Sequence, residues 1–183
     1  LFIEKASSLT PEGYLYRIDF RLRPDGRNSP ICRTINDTLR YYETRGENWE
    51  KQMLIKMNFL TGDKRLYNTF YNNTKSYIYH LDPFSSVTEQ VYELRKITTS
   101  NYSSEVNVKQ SKGGIRDIEF PIQILQMING GKNASIQTGN TFEAISKLYT
   151  GKLLTNEEQE LIKESYTFFR HIEHFLQLLD DRQ

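Results

Sequence analysis

Cysteine is almost missing from this 183-residue chain: Cys32 stands alone. A single thiol excludes an intrachain disulfide and a cysteine metal cluster. It fits a reducing compartment, and a cytoplasmic location is expected. Long apolar runs are also missing. None approaches the roughly 18 residues of a membrane span, and no signal-peptide pattern opens the chain. No membrane partner is expected. An excess of either charge is lacking too, since 24 basic and 23 acidic residues leave a net charge of +1. That argues against a general polyanion-binding surface, so any basic site must be local. The aromatics are spread through helical segments rather than interleaved with a basic patch, so nucleic acid is not an expected partner. Histidine is scarce. His171 and His174 stand three apart, and a zinc site would have only His80 as a third histidine. They read as polar residues of a helix surface or a helix contact. Apolar residues make up only 37%. The 12 Tyr and 10 Phe must therefore supply much of the core.

What is present is most informative at residues 16–24, Tyr-Arg-Ile-Asp-Phe-Arg-Leu-Arg-Pro. The alternation is strict. Tyr16, Ile18, Phe20 and Leu22 share one face of an extended strand; Arg17, Asp19, Arg21 and Arg23 share the other. A row of arginines repels itself. It makes sense where a phosphate or a metal–phosphate complex neutralises it. Arginine's fork suits phosphate oxygens, and a strand-borne aspartate suits Mg²⁺. The alternative is an amphipathic strand with a solvated, salt-bridged face.

After the turn signal Pro24-Asp25-Gly26 the period becomes helical. Helices are expected over 34–44 and 47–60, with Gly62 as a stop, then over 63–80 and 86–102. Residues 105–109 alternate again, as a short strand or extended loop. A helix follows Lys112-Gly113-Gly114 and runs to about Asn129. Asn140 with Glu143 and Thr155 with Glu158 are capping boxes that open two more helices. Gly151 ends the first, and the second runs to about Asp180. Roughly six or seven helices with short connections suggest antiparallel packing in a bundle.

The Gly-Gly turn is the second candidate site. Its glycines permit positive φ. The helix start behind them is expected to offer free N–H groups to an anion, with Lys109, Lys112 and Arg116 adding positive charge. Asp117 falls on the broad apolar side of that helix. It either serves a site or caps the helix, with Pro121 placing the start close by. Trp49, Glu50, Gln52 and Lys56 read as packing plus a solvated face.

In order, these segments resemble one family, the glutamine synthetase adenylyltransferases. The matching residues are Tyr16 to Pro24 with Gly26; Tyr41-Tyr42; Trp49-Glu50 with Gln52 and Lys56; Gly62-Asp63; Lys109; Gly113-Gly-Ile-Arg-Asp-Ile-Glu-Phe120 with Gln123; and Arg170-His-Ile-Glu-His-Phe-Leu-Gln177 with Asp180 and Gln183. The resemblance implies a mainly α fold: a helical bundle over 34–183, preceded by a short β edge over 1–33. That edge would belong to a truncated polymerase-beta-type nucleotidyltransferase core. It implies an enzyme that attaches AMP from ATP to a tyrosine of glutamine synthetase, or removes it by phosphorolysis to ADP. The ending of the chain resembles the deadenylylating half. Asp19 matches the third of three carboxylates that hold Mg²⁺; the other two would precede Leu1, so the fragment alone is expected to be inactive. Arg21, Arg23, Lys109, Gly113, Gly114 and Arg116 would contact nucleotide or phosphate. Asp117 and Glu119 would line the wall facing substrate. Ser29 and Asn58 stand where the family usually has glycine and arginine. Expected partners are glutamine synthetase and a PII-type regulator. The alternatives are a helical docking module for either partner, or another polymerase-beta-type nucleotidyltransferase.

Overall fold

A computed structural model describes residues 4–5, 8–11, 13–14, 20, 22–26, 29–80 and 107–180. The chain divides into two units, Leu1–Gly46 and Glu47–Gln183. It is mainly α, with six α-helices among the described residues.

In the first unit, β1 (Leu9–Thr10) and β2 (Gly13–Tyr14) pair antiparallel, Leu9 opposite Tyr14. Tyr16 to Asp19 and Arg21 lie outside the described residues. The expected alternation does not reach Leu22, which is 60% exposed. Residues 22–26 bend and turn instead. Arg23 explains the bend. Its Nε donates to Ser29 Oγ and its Nη2 to Ser29 O, both at 3.0 Å, while its Nη1 donates to the Phe20 carbonyl. One guanidinium thus closes the Pro24-Asp25-Gly26 turn. Helix α1 (Ile35–Thr44) is capped by Thr34, whose Oγ1 accepts from Asp37 N at 3.1 Å. It buries Tyr41 and Tyr42.

In the second unit, α2 (Asn48–Ile55) starts where Glu47 N donates to Glu50 Oε2 at 2.8 Å. Glu50 is 1% exposed, so the expected solvated face is partly core. The helix ends five residues before position 60. There Phe59 turns onto the Tyr67 ring, 5.5 Å away, and Gly62 sits in the loop rather than closing the helix. Helix α3 (Lys64–Ile78) follows its N-cap Asp63. The helix expected over 86–102 lies outside the described residues.

Of the stretch expected to be extended, residues 105–106 lie outside the described residues, and residues 107–110 are a turn, not a strand. Asn107 Oδ1 accepts from Lys109 N at 2.9 Å and from Gln110 N at 3.0 Å, an Asx turn that competes with extended pairing. Helix α4 (Ile115–Asn129) contains Pro121 in its interior. Proline therefore does not mark its start, and one i→i−4 bond is lost there. Helices α5 (Thr141–Thr150) and α6 (Asn156–Asp180) begin at the expected caps. Asn140 Oδ1 accepts from Glu143 N at 3.1 Å, and Thr155 and Glu158 bond reciprocally. Helices α4, α5 and α6 pack on one another, and α2 packs on α3 and α4. The central cluster of this unit is aliphatic rather than aromatic: Ile122, Ile136, Ala144, Ile145 and Leu148. Leu125, Leu153, Leu154 and Ile162 pack against it, and Tyr79 and Tyr166 are also buried in this unit.

Candidate functional site

The Gly-Gly turn is closed from behind. Gly113 has φ +80, a conformation that disfavours side chains. A Cβ on Gly114 would lie 2.3 Å from Val108 O and 2.9 Å from Ser111 O. The second glycine is there so that backbone can pass backbone. As a result the amides are taken. Gly114 N donates to Ser111 O, Ile115 N to Val108 O, Arg116 N to Lys109 O and Asp117 N to Gly114 O, at 2.8–3.1 Å. Gly113 N donates to Asp117 Oδ2 at 2.8 Å. The expectation of free N–H groups is thereby corrected. The carbonyls of the 107–111 turn cap α4, and the Asp117 carboxylate caps the glycine turn. Lys109 and Arg116 are half-buried beside it, and Lys112 is exposed.

Glu119 lies on α4, roughly a turn further along. Its Oε1 accepts from Tyr166 OH at 2.8 Å and from Thr141 Oγ1 at 3.4 Å, and Lys56 Nζ lies 3.4 Å away. Lys56 Nζ also donates to Thr141 Oγ1 at 2.6 Å. Four elements meet here: the end of α2, then α4, α5 and α6. Tyr166 is 6% exposed. Burial pushes its hydroxyl above the ordinary tyrosine pKa; the Thr141 contact opposes this and Glu119 adds to it. Arg170 lies over the Tyr166 ring at 5.9 Å and pairs with Glu173 at 2.5 Å. Sequence reasoning named Glu119 and Lys56 but missed Thr141 and Tyr166. Their sequence separations from Glu119, 22 and 47 residues, leave no local signal. Close by in sequence, Gln52 Nε2 on α2 and Gln123 Oε1 on α4 are buried without partners.

Asp19 and Arg21 lie outside the described residues, and Arg23 is engaged in closing its own loop. Among the described residues no group of three or more His, Cys, Asp or Glu side chains would hold a metal ion. No described helix is long and apolar enough to cross a membrane.

Two family models tile the chain. That of GlnD PII-uridylyltransferase matches residues 85–183, and that of glutamate-ammonia ligase adenylyltransferase matches residues 2–73. Both describe nucleotidyltransferases. Relatives named bifunctional glutamine synthetase adenylyltransferase/adenylyl-removing enzyme align along nearly the whole chain. The protein from Bartonella quintana is 35% identical over 95% of it, that from Bradyrhizobium sp. BTAi1 32% over 96%, and that from Streptomyces avermitilis 31% over 94%. The chain belongs to the glutamate-ammonia ligase adenylyltransferase family, with a C-terminal half of the type matched by the uridylyltransferase model. It spans about 18% of the length of these relatives.

Proposed function

We propose that the chain is a segment of a bifunctional enzyme that adenylylates and deadenylylates a tyrosine of glutamine synthetase. The observation that carries this is the near-complete alignment with relatives of that name. The strand motif at 16–24 would be the edge of a polymerase-beta-type core over 1–33, with 34–183 as the helical domain. ATP and ADP would be the nucleotides, and the segment would belong to the deadenylylating half in the cytoplasm. Nucleotidyl transfer depends on positioning and on charge that neutralises the phosphates. Arg21, Lys109 and Arg116 are the side chains suited to that task. Arg23 would act through the loop it closes, orienting the acidic strand. Gly113, Gly114 and Asp117 would shape the wall rather than donate to phosphate, because their groups are bonded within the turn. Glu119 would hold α4 in register with α2, α5 and α6. Mg²⁺ enters the proposal through Asp19 alone, since no cluster among the described residues would hold it.

A second reading is favoured by one observation. The saturated amides of α4 and the capping role of Asp117 suit a scaffold, so the helical unit would serve mainly to dock glutamine synthetase or a PII-type regulator. One experiment separates the two. In the full-length protein, Asp19→Asn and Lys109→Ala are compared for phosphate-dependent release of ADP from adenylylated glutamine synthetase. Loss of turnover in both variants with retained complex formation supports the transfer site. Full turnover in Asp19→Asn refutes the metal-ligand role. Loss of complex formation in Lys109→Ala supports docking.

A further inference from the structure

Two arginines at opposite ends of α1 are drawn onto one loop carboxylate. Arg33 lies just before the N-cap, and Arg45 is the C-cap residue. The helix between them is about 15 Å long, yet both guanidiniums reach Asp25. Arg33 Nη2 lies 2.5 Å from Asp25 Oδ2. Arg45 lies across the carboxylate as a fork, Nη1 3.1 Å from Oδ1 and Nη2 3.3 Å from Oδ2. Asp25 itself stands at φ +60, a conformation rare for a residue with a side chain. The loop is held in an uncommon backbone state with its one anion between two forks.

A cavity of about 830 Å³ opens beside this clamp. Arg33, Thr34, Asp37, Arg40, Tyr41 and Arg45 line it. Three guanidiniums there meet two carboxylates, Asp25 and Asp37. Asp37 is already used at the helix start, where it accepts from Thr34 Oγ1 at 2.7 Å. Arg33 Nε is buried with no hydrogen-bond partner. Arg45 also covers the Tyr41 ring, 5.0 Å from its centroid, which holds the guanidinium over the cavity. Three guanidiniums thus face two carboxylates, one of them engaged at the helix start, and no described carboxylate pairs with Arg40.

We propose that Arg33, Arg40 and Arg45 form a binding site for a phosphate-type oxyanion, and that Asp25 is its internal competitor. A phosphate group brings more oxygens and up to twice the charge of a carboxylate, and arginine forks match it bidentately. On binding, the oxyanion takes the place of Asp25 between Arg33 and Arg45. The Pro24-Asp25-Gly26 turn is then released from α1. The site is distinct from the residues assigned to nucleotidyl transfer above and does not depend on that assignment. Its ligand is either free inorganic phosphate or the phosphate end of a nucleotide.

The 183-residue chain is titrated with inorganic phosphate and, separately, with ADP, by isothermal calorimetry against sodium chloride of matched ionic strength. Far-UV circular dichroism checks that each variant is folded. Saturable binding is expected, weakened at least tenfold in Arg45→Ala and in Arg40→Ala. Arg40 is an exposed residue of α1 with no ion pair among the described residues, so its replacement leaves the Asp25 clamp in place. Asp25→Asn should bind at least fivefold more tightly, because the competitor is removed. Tighter binding of phosphate names the free ion as ligand; tighter binding of ADP names the nucleotide. Heats no larger than those of chloride, native affinity in both arginine variants, or weaker binding in Asp25→Asn would each overturn the proposal.

Discussion

Removing the Tyr166 hydroxyl is the sharpest test of how the helical unit is held. In Tyr166→Phe the ring stays, and its edge contact with Phe142 at 5.1 Å is kept. Only the 2.8 Å bond to Glu119 and the longer contact to Thr141 are lost. A hydrogen bond to a charged acceptor contributes about 1.5–3 kcal/mol. Glu119 retains Lys56 and Thr141 as neighbours, so the lower part of that range applies, about 1.5–2 kcal/mol. Glu119→Gln keeps an acceptor for Tyr166 but removes the charge. The Lys56 pair then lost spans 3.4 Å with Lys56 about one-third exposed, so it contributes at most about 1 kcal/mol. Because Tyr166 and Glu119 touch, the double variant should cost less than the sum, with a coupling of about 1 kcal/mol. Equilibrium urea unfolding followed at 222 nm measures all three, provided the m-value is unchanged. A loss below about 0.5 kcal/mol in Tyr166→Phe, or strict additivity in the double variant, would refute the view that this junction ties four elements together.

The remaining predictions concern the glycine turn and tyrosine ionisation. Gly114→Ala forces a Cβ into Val108 O and Ser111 O, which are backbone atoms that cannot swing aside, and should cost about 3 kcal/mol or more in thermal or urea unfolding. Gly113→Ala meets no atom within 4 Å and pays only for its φ of +80, about 1 kcal/mol; equal losses at the two positions would contradict this division of labour. Burial raises the hydroxyl pKa of Tyr79 and of Tyr166 above the ordinary value. The folded state then holds protons that the unfolded state releases near pH 10, so stability is intact below that pH and falls as pH rises beyond it. Absorbance at 295 nm should show these two ionising after the exposed tyrosines, and a single step near pH 10 for all 12 would contradict it.

Much of the helical framework was legible because its signals are local. Asn140 with Glu143 and Thr155 with Glu158 announce α5 and α6 within four residues, and the structure starts both helices there. The misread elements share a different cause. At residues 107–109 the extended expectation overlooks the Asn107 side chain, which closes an Asx turn on Lys109 and Gln110. The glycine turn was read as an open anion cradle because the acceptors that fill it, Val108 and Lys109 carbonyls, come from that unrecognised turn. Which of Trp49, Glu50, Gln52 and Lys56 pack was not legible, because nothing in the sequence near α2 tells that the helix meets α3 and α4; Glu50 and Gln52 prove buried. The aromatic core expectation failed in the helical unit because composition counts side chains without placing them: Phe168 and Phe175 are each 61% exposed, while the isoleucines pack inside. The Glu119 junction joins residues far apart in sequence, and only the packing of α4, α5 and α6 brings them together.

Helix α4 is fixed at both of its ends. The carbonyls of residues 108 and 109 hold its first turn. At the other end the helix runs into Gly130, where a Cβ would stand 2.4 Å from a ring carbon of buried Tyr79. A 15-residue helix clamped in this way is a strut about 22 Å long. Its one weak point is Pro121, where a backbone bond is missing and the helix can flex. Glu119 lies on the near side of that point, so a shift of the 107–111 turn would reach Thr141 of α5 and Tyr166 of α6 before it reached Tyr79.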